Sequence, residues 1–160
     1  MRNRIFVTGI VMAAALSAAA CGGGSDSTAP APQYQSIAGT YAGPMTGLDQ
    51  GVAIAATITV TITQNAGSLG GSYGISGLLS DGVNQVSVVG SGSLNGTIAA
   101  GSNPSVNITV AGVCPGRTAQ FSGAYDVANA RLTLVGPVQI FAADCSAVLL
   151  TYQTTFILSH

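Results

Sequence analysis

The chain contains no lysine, no glutamate and no tryptophan, and its only histidine is His160. Each absence removes a class of protein. Long solvent-facing helices and coiled coils lean on Glu and Lys, so neither is expected. A nucleic-acid surface needs a basic patch, and four arginines in 160 residues cannot build one. A phosphate-cradling loop lacks its lysine. With one histidine and dispersed aspartates, acid, base and nucleophile are scarce together, and no enzyme, cofactor or metal site is expected. Charge is sparse altogether at 6% of residues, so Thr, Ser, Asn, Gln and Gly must make the surface polar.

What is present begins with an export pattern. MRNR, with Arg2 and Arg4, precedes 16 apolar or small residues from Ile5 to Ala20. A positive start before an apolar stretch too short to span a bilayer is the order of a secretory signal peptide. The stretch closes in Leu16-Ser17-Ala18-Ala19-Ala20-Cys21-Gly22. That ending resembles the lipobox of bacterial lipoproteins. The resemblance implies cleavage before Cys21, a diacylglyceryl group on its thiol and acylation of the new amino group. Two or three acyl chains there would hold the protein on a membrane. Gly22 rather than Asp after Cys21 implies, by the sorting rule of enteric bacteria, the outer membrane of the cell envelope.

GGGSDSTAPAPQ follows, almost without apolar side chains. Such a segment buries too little surface to offset its ordering entropy. The chain thus divides into a signal peptide over 1–20, a lipid-anchored flexible linker over 21–35 and one folded domain over 36–160. Beyond the signal, two arginines stand against five aspartates, a formal balance of −3.

Period-two alternation runs through the folded part. In VAIAATITVTITQ, Val52, Ile54, Ala56, Ile58, Val60 and Ile62 share one parity, and Thr57, Thr59, Thr61 and Thr63 the other. Asn65 to Ser68 is a turn cluster, after which Leu69, Gly71, Tyr73 and Ile75 alternate with small polar residues. Similar runs lie around Val106, Phe121, Leu132, Val138 and Phe156. A first strand is expected near Ser36 to Gly43, and one bent or two short strands from Val83 to Ile98. Pro137 should mark an edge or bulge. The expected fold is all-β: a single antiparallel up-and-down barrel or sandwich of about eight strands. Gly-Ser-Leu-x-Gly occurs twice, from Gly67 and from Gly92, each Leu expected to open a strand.

IAGTYAG followed by TITQNAGSLGGSYGISG is similar to the opening of avidin-type and lipocalin-type barrels, the calycin group. The resemblance implies a barrel with an interior that takes a small apolar ligand. It does not imply biotin, because the tryptophans that line the avidin site are missing.

Cys114 and Cys145 lie at strand ends in an exported domain, where disulfides persist, so a Cys114–Cys145 bridge is expected. It would stabilise by roughly 3 kcal/mol. Cys21 is left for lipid. Gly70-Gly71-Ser72-Tyr73-Gly74 matches the serine-hydrolase pattern but falls in mid-strand without a histidine partner. Asp49, Asp81 and Asp126 read as turn formers. The leading expectation is a lipid-anchored, noncatalytic β-domain with a structural or interaction role and an envelope protein as partner. The alternative is a calycin-like barrel holding a small apolar ligand. A small transmembrane β-barrel is the third reading.

Overall fold

The computed structural model describes residues 30–49, 52–142 and 144–160. The expected signal peptide, Cys21 and most of the expected linker lie outside the described residues. Pro32–His160 forms one compact unit, and the core cluster lies wholly within it. This unit therefore holds what it needs to fold by itself.

Eight strands follow in order: β1 (Gly39–Asp49), β2 (Val52–Asn65), β3 (Ser68–Ser80), β4 (Gln85–Ile98), β5 (Ser105–Ala111), β6 (Thr118–Asp126), β7 (Arg131–Phe141) and β8 (Val148–Ser159). Each pairs antiparallel with the next, and β8 returns to β1, so the sheet closes as an up-and-down barrel. There is no helix among the described residues. Closure decides between barrel and sandwich.

The alternation sorts the two faces. Ile54, Ile58, Val60 and Ile62 are buried inside, and Thr57, Thr59, Thr61 and Thr63 face out. β1 begins at Gly39, later than expected, and runs on through Pro44 to Asp49. Val83 to Ile98 yields one strand, β4, behind a turn over residues 81–84.

An eight-stranded barrel is just wide enough for its own side chains to fill. Large residues therefore face small ones across the ladder. Leu69 pairs with Gly96, and Gly71 with Leu94. The two Gly-Ser-Leu-x-Gly copies thus face each other, each leucine over the other's second glycine. Leu94 sits inside β4 instead of opening a strand, because the copies serve cross-strand fit and not chain reversal. At Gly71, φ is +144° and a Cβ would meet the carbonyl oxygen of Thr61. Only glycine suits both conditions. The β2–β3 turn departs from ideal chemistry: Ala66 has φ +51°, a left-handed conformation that costs an L-residue about 1 kcal/mol.

One end of the barrel is plugged. Ile37, Tyr41, Pro104, Leu132 and Leu158 are all under 2% exposed there. The Tyr41 hydroxyl donates to the Ile37 carbonyl at 3.0 Å. Gln64 ties the preceding segment down: its Oε1 accepts from the Ile37 amide at 2.7 Å and its Nε2 donates to the Gln35 carbonyl at 2.9 Å. The Gly101 amide donates to the Gln33 carbonyl at 3.1 Å. Tyr125 and His160 set their rings edge-on to Tyr41, with centroids 6.2 and 5.2 Å away.

The ladder has two seams, and each has a proline beside it. β1 and β8 pair only at Ala42 and Ser159, and Pro44 stands where that ladder would continue. β6 and β7 pair from Asp126–Arg131 to Ser122–Val135 and stop two residues short of Pro137. Proline has no N–H to donate, so neither ladder extends through it. The sequence expectation for Pro137 is met in this form. Between the seams, the outer half of the β7–β8 hairpin, Gly136–Phe141 and Val148–Thr154, is bonded only to itself.

Candidate binding cavity at the disulfide end

The end opposite the plug carries the β5–β6 loop, Gly112 to Arg117, and the β7–β8 loop, residues 142–147. Cys114 and Cys145 join them, with Cα atoms 5.7 Å apart. The expected disulfide is present. Cys114-Pro115-Gly116-Arg117 forms a turn closed by the Arg117 amide on the Cys114 carbonyl at 3.1 Å. Gly116 has φ +72°. Proline second and a left-handed glycine third is the chemistry of a type II turn. This turn delivers Arg117 to the head of β6.

Behind the loop lies a cavity of about 90 Å³. Its deep wall is Ile58, Val60, Leu94, Ile108, Leu134 and Phe156, all buried. Tyr73 and Phe121 narrow it, and Phe121 leans on Phe156 with ring centroids 5.7 Å apart. The mouth is marked by lining residues that meet solvent: Val113, Arg117 and Thr118 on one side, Pro137 and Gln139 on the other. It coincides with the seam where β6 and β7 do not pair. The walls are almost wholly apolar, and the cavity is smaller than the ~150 Å³ apolar void that takes up benzene. It suits a short alkyl segment or a comparably small apolar group.

Two tyrosines bring hydroxyls inside. Burial pushes the Tyr73 phenol above its ordinary range, with the Val113 backbone pulling the other way. Tyr152, on the free half of β8, is also pushed up by burial, and its hydroxyl is buried without a partner.

Charge at the mouth is simple. Among the described residues the one ion pair is Arg131 with Asp126 at 3.8 Å, at the plugged end. Arg117 is exposed, and no carboxylate among the described side chains lies within ion-pair distance of it. The aspartates are engaged in turns, as expected for Asp81 and Asp126. The Asp81 carboxylate accepts from the amides of Val83 and Asn84 at 2.9 and 2.6 Å and from the Asn84 side chain at 3.1 Å. These bonds, the Asn84 amide foremost, hold its pKa down at about 2. Asp126 repeats the pattern with Asn129 and Ala128, and its carboxyl is likewise lowered, first by the Asn129 side chain. Asp144 accepts from the Ser146 hydroxyl and amide, which lower it too. The Asp49 side chain lies outside the described residues.

No family model matches the chain, and no curated protein or solved structure matches it significantly. The fold and the cavity therefore carry the functional argument alone. Ser72 of the hydrolase-like pattern is exposed on the outer face of β3, in mid-strand. No group of three His, Cys, Asp or Glu side chains gathers among the described residues. The sequence reading named Cys114 and Cys145, and a ligand-holding interior through the calycin resemblance, but not the residues of the cavity that Cys114 borders. The signal for it was Pro137, whose missing donor opens the seam, together with the CPGR turn that places Arg117 beside it.

Proposed function

We propose that the protein is an envelope lipoprotein, anchored through Cys21, whose barrel is a noncatalytic binding module for a small apolar ligand. The observation that carries this reading is the apolar cavity open at the β6–β7 seam. A barrel with a purely structural role gains nothing from an interior void, since unfilled core volume costs stability. The faces also argue against the transmembrane alternative. A membrane barrel turns its apolar residues to lipid and its polar residues inward, whereas here the inner face is Ile, Leu, Val and aromatics and the outer face is mostly Thr, Ser, Asn and Gln, with Val89, Leu149 and Ile157 among a minority of exposed apolar residues.

The test uses the Pro32–His160 unit and n-pentanol, a neutral probe small enough for the cavity, followed by amide chemical-shift changes in an NMR titration. Saturable one-to-one binding is expected, and Ala119→Phe, which fills the cavity from β6, should abolish it while the β-sheet circular dichroism persists. No saturable binding, or binding untouched by Ala119→Phe, refutes the cavity reading. The anchor is checked separately in cells. Cys21→Ser should remove an acyl mass increment and release the protein from membranes; an unchanged mass and location would refute anchoring.

A further inference from the structure

We infer that the ligand of this cavity is an anionic amphiphile: a short alkyl chain seated among Ile58, Leu94 and Phe156, with a carboxylate-type head held by Arg117. The inference rests on the binding-module reading above and adds the chemistry of the ligand. Three observations carry it. First, the deep wall is apolar and the Tyr73 hydroxyl is already engaged by the Val113 backbone, so any polar end must stay at the mouth. Second, one of the described lining residues carries a full charge, and it is positive. Arg117 lines the cavity and is exposed, while the domain's other arginine, Arg131, is spent on Asp126 at the opposite end. The chain has no lysine to substitute for it. Asp144, in the neighbouring loop, is turned to Ser146 and not to Arg117. Third, Arg117 is not on a loose loop. Its amide closes the CPGR turn, whose first residue is fixed by the Cys114–Cys145 bridge. The guanidinium is thus presented from an anchored backbone, with Thr118 beside it and Gln139 across the seam as further hydrogen-bonding groups.

A guanidinium fork matches a carboxylate with two parallel N–H···O bonds. With the alkyl chain inward and the head outward, the ligand is oriented as well as held. A neutral alcohol of the same chain length keeps the apolar contact and loses the ion pair. An alkylammonium meets like charge.

The experiment is NMR titration of the Pro32–His160 unit with pentanoate, pentanol and pentylammonium at neutral pH. Pentanoate should bind about fivefold more tightly than pentanol, the range of a solvent-exposed ion pair. Pentylammonium should be the weakest of the three. In Arg117→Gln the pentanoate-to-pentanol affinity ratio should fall to one, and 0.5 M salt should shrink it in the unsubstituted protein. Equal binding of pentanoate and pentanol, or a preference that survives Arg117→Gln, overturns the inference and leaves the cavity standing. Failure of all three to bind overturns both.

Discussion

Tyr152 is the one side chain whose buried polar atom has no partner among the described residues. A buried hydroxyl without a hydrogen bond keeps its desolvation cost and receives nothing in return. Its position explains why the molecule tolerates it. Tyr152 sits opposite Val138 in the half of the β7–β8 hairpin that no other strand holds. Tyr41, by contrast, is under 2% exposed and satisfied by Ile37. The two tyrosines should therefore respond oppositely to loss of the hydroxyl. Tyr152→Phe should leave stability unchanged or raise it by about 1 kcal/mol, while Tyr41→Phe should lower it by about 1 kcal/mol. Urea midpoints of the two variants, measured with the parent, decide this, and a clear loss in Tyr152→Phe would show that its hydroxyl has a partner.

The outer half of the β7–β8 hairpin is tied to its neighbouring loop by one covalent link. That half lacks a ladder to β6 or β1, and Cys145 at its tip is bonded to Cys114. Replacing both cysteines by alanine should lower stability by roughly 3 kcal/mol, the chain-entropy value for a loop of this length. The loss should not be uniform. Amide exchange should accelerate most at residues 136–141 and 148–154, and little in β2 and β3, where every residue of β3 is paired. Uniform acceleration would mean that the bridge acts only through the unfolded chain. The two levels of this argument were unequally legible in the sequence. The strands of β2, β3, β6 and β8 could be read directly, because Thr, Ser and Gly alternate with Ile, Leu and aromatics without a break. The bridge followed from two cysteines at strand ends in a chain whose sequence reads as exported. The place and lining of the cavity did not follow, for a physical reason. Alternation reports which face is buried and says nothing of how well the buried face is filled. Filling depends on which glycines meet which large residues across the ladder, as Gly71 meets Leu94. Register sets that, and it becomes visible only once the sheet is closed.

The distribution of titrating groups over the whole barrel sets its response to pH. Three tyrosines, Tyr41, Tyr73 and Tyr152, are held above their ordinary range, chiefly by burial. Three aspartates, Asp81, Asp126 and Asp144, are held below theirs, on the surface. At high pH the unfolded chain loses phenolic protons near pH 10 while the folded barrel keeps them. The unfolded state then binds fewer protons, so stability falls as pH rises above about 10. At low pH the unfolded carboxylates take up protons near pH 4, while the folded ones resist down to about 2 in the case of Asp81. The unfolded state then binds more protons, and stability falls as pH drops through that window. The two arms differ in weight. The phenols sit among the core and beside the cavity, whereas the carboxylates lie at the surface and are screened by solvent. With no glutamate and no lysine, few other groups remain to blur the contrast. Thermal melts of the Pro32–His160 unit should thus show a shallow decline from pH 5 to 3 and a steep one above pH 10. Tyr73→Phe should flatten the alkaline arm. A steeper acid arm would show that carboxylate turns, and not buried phenols, govern the stability of the barrel.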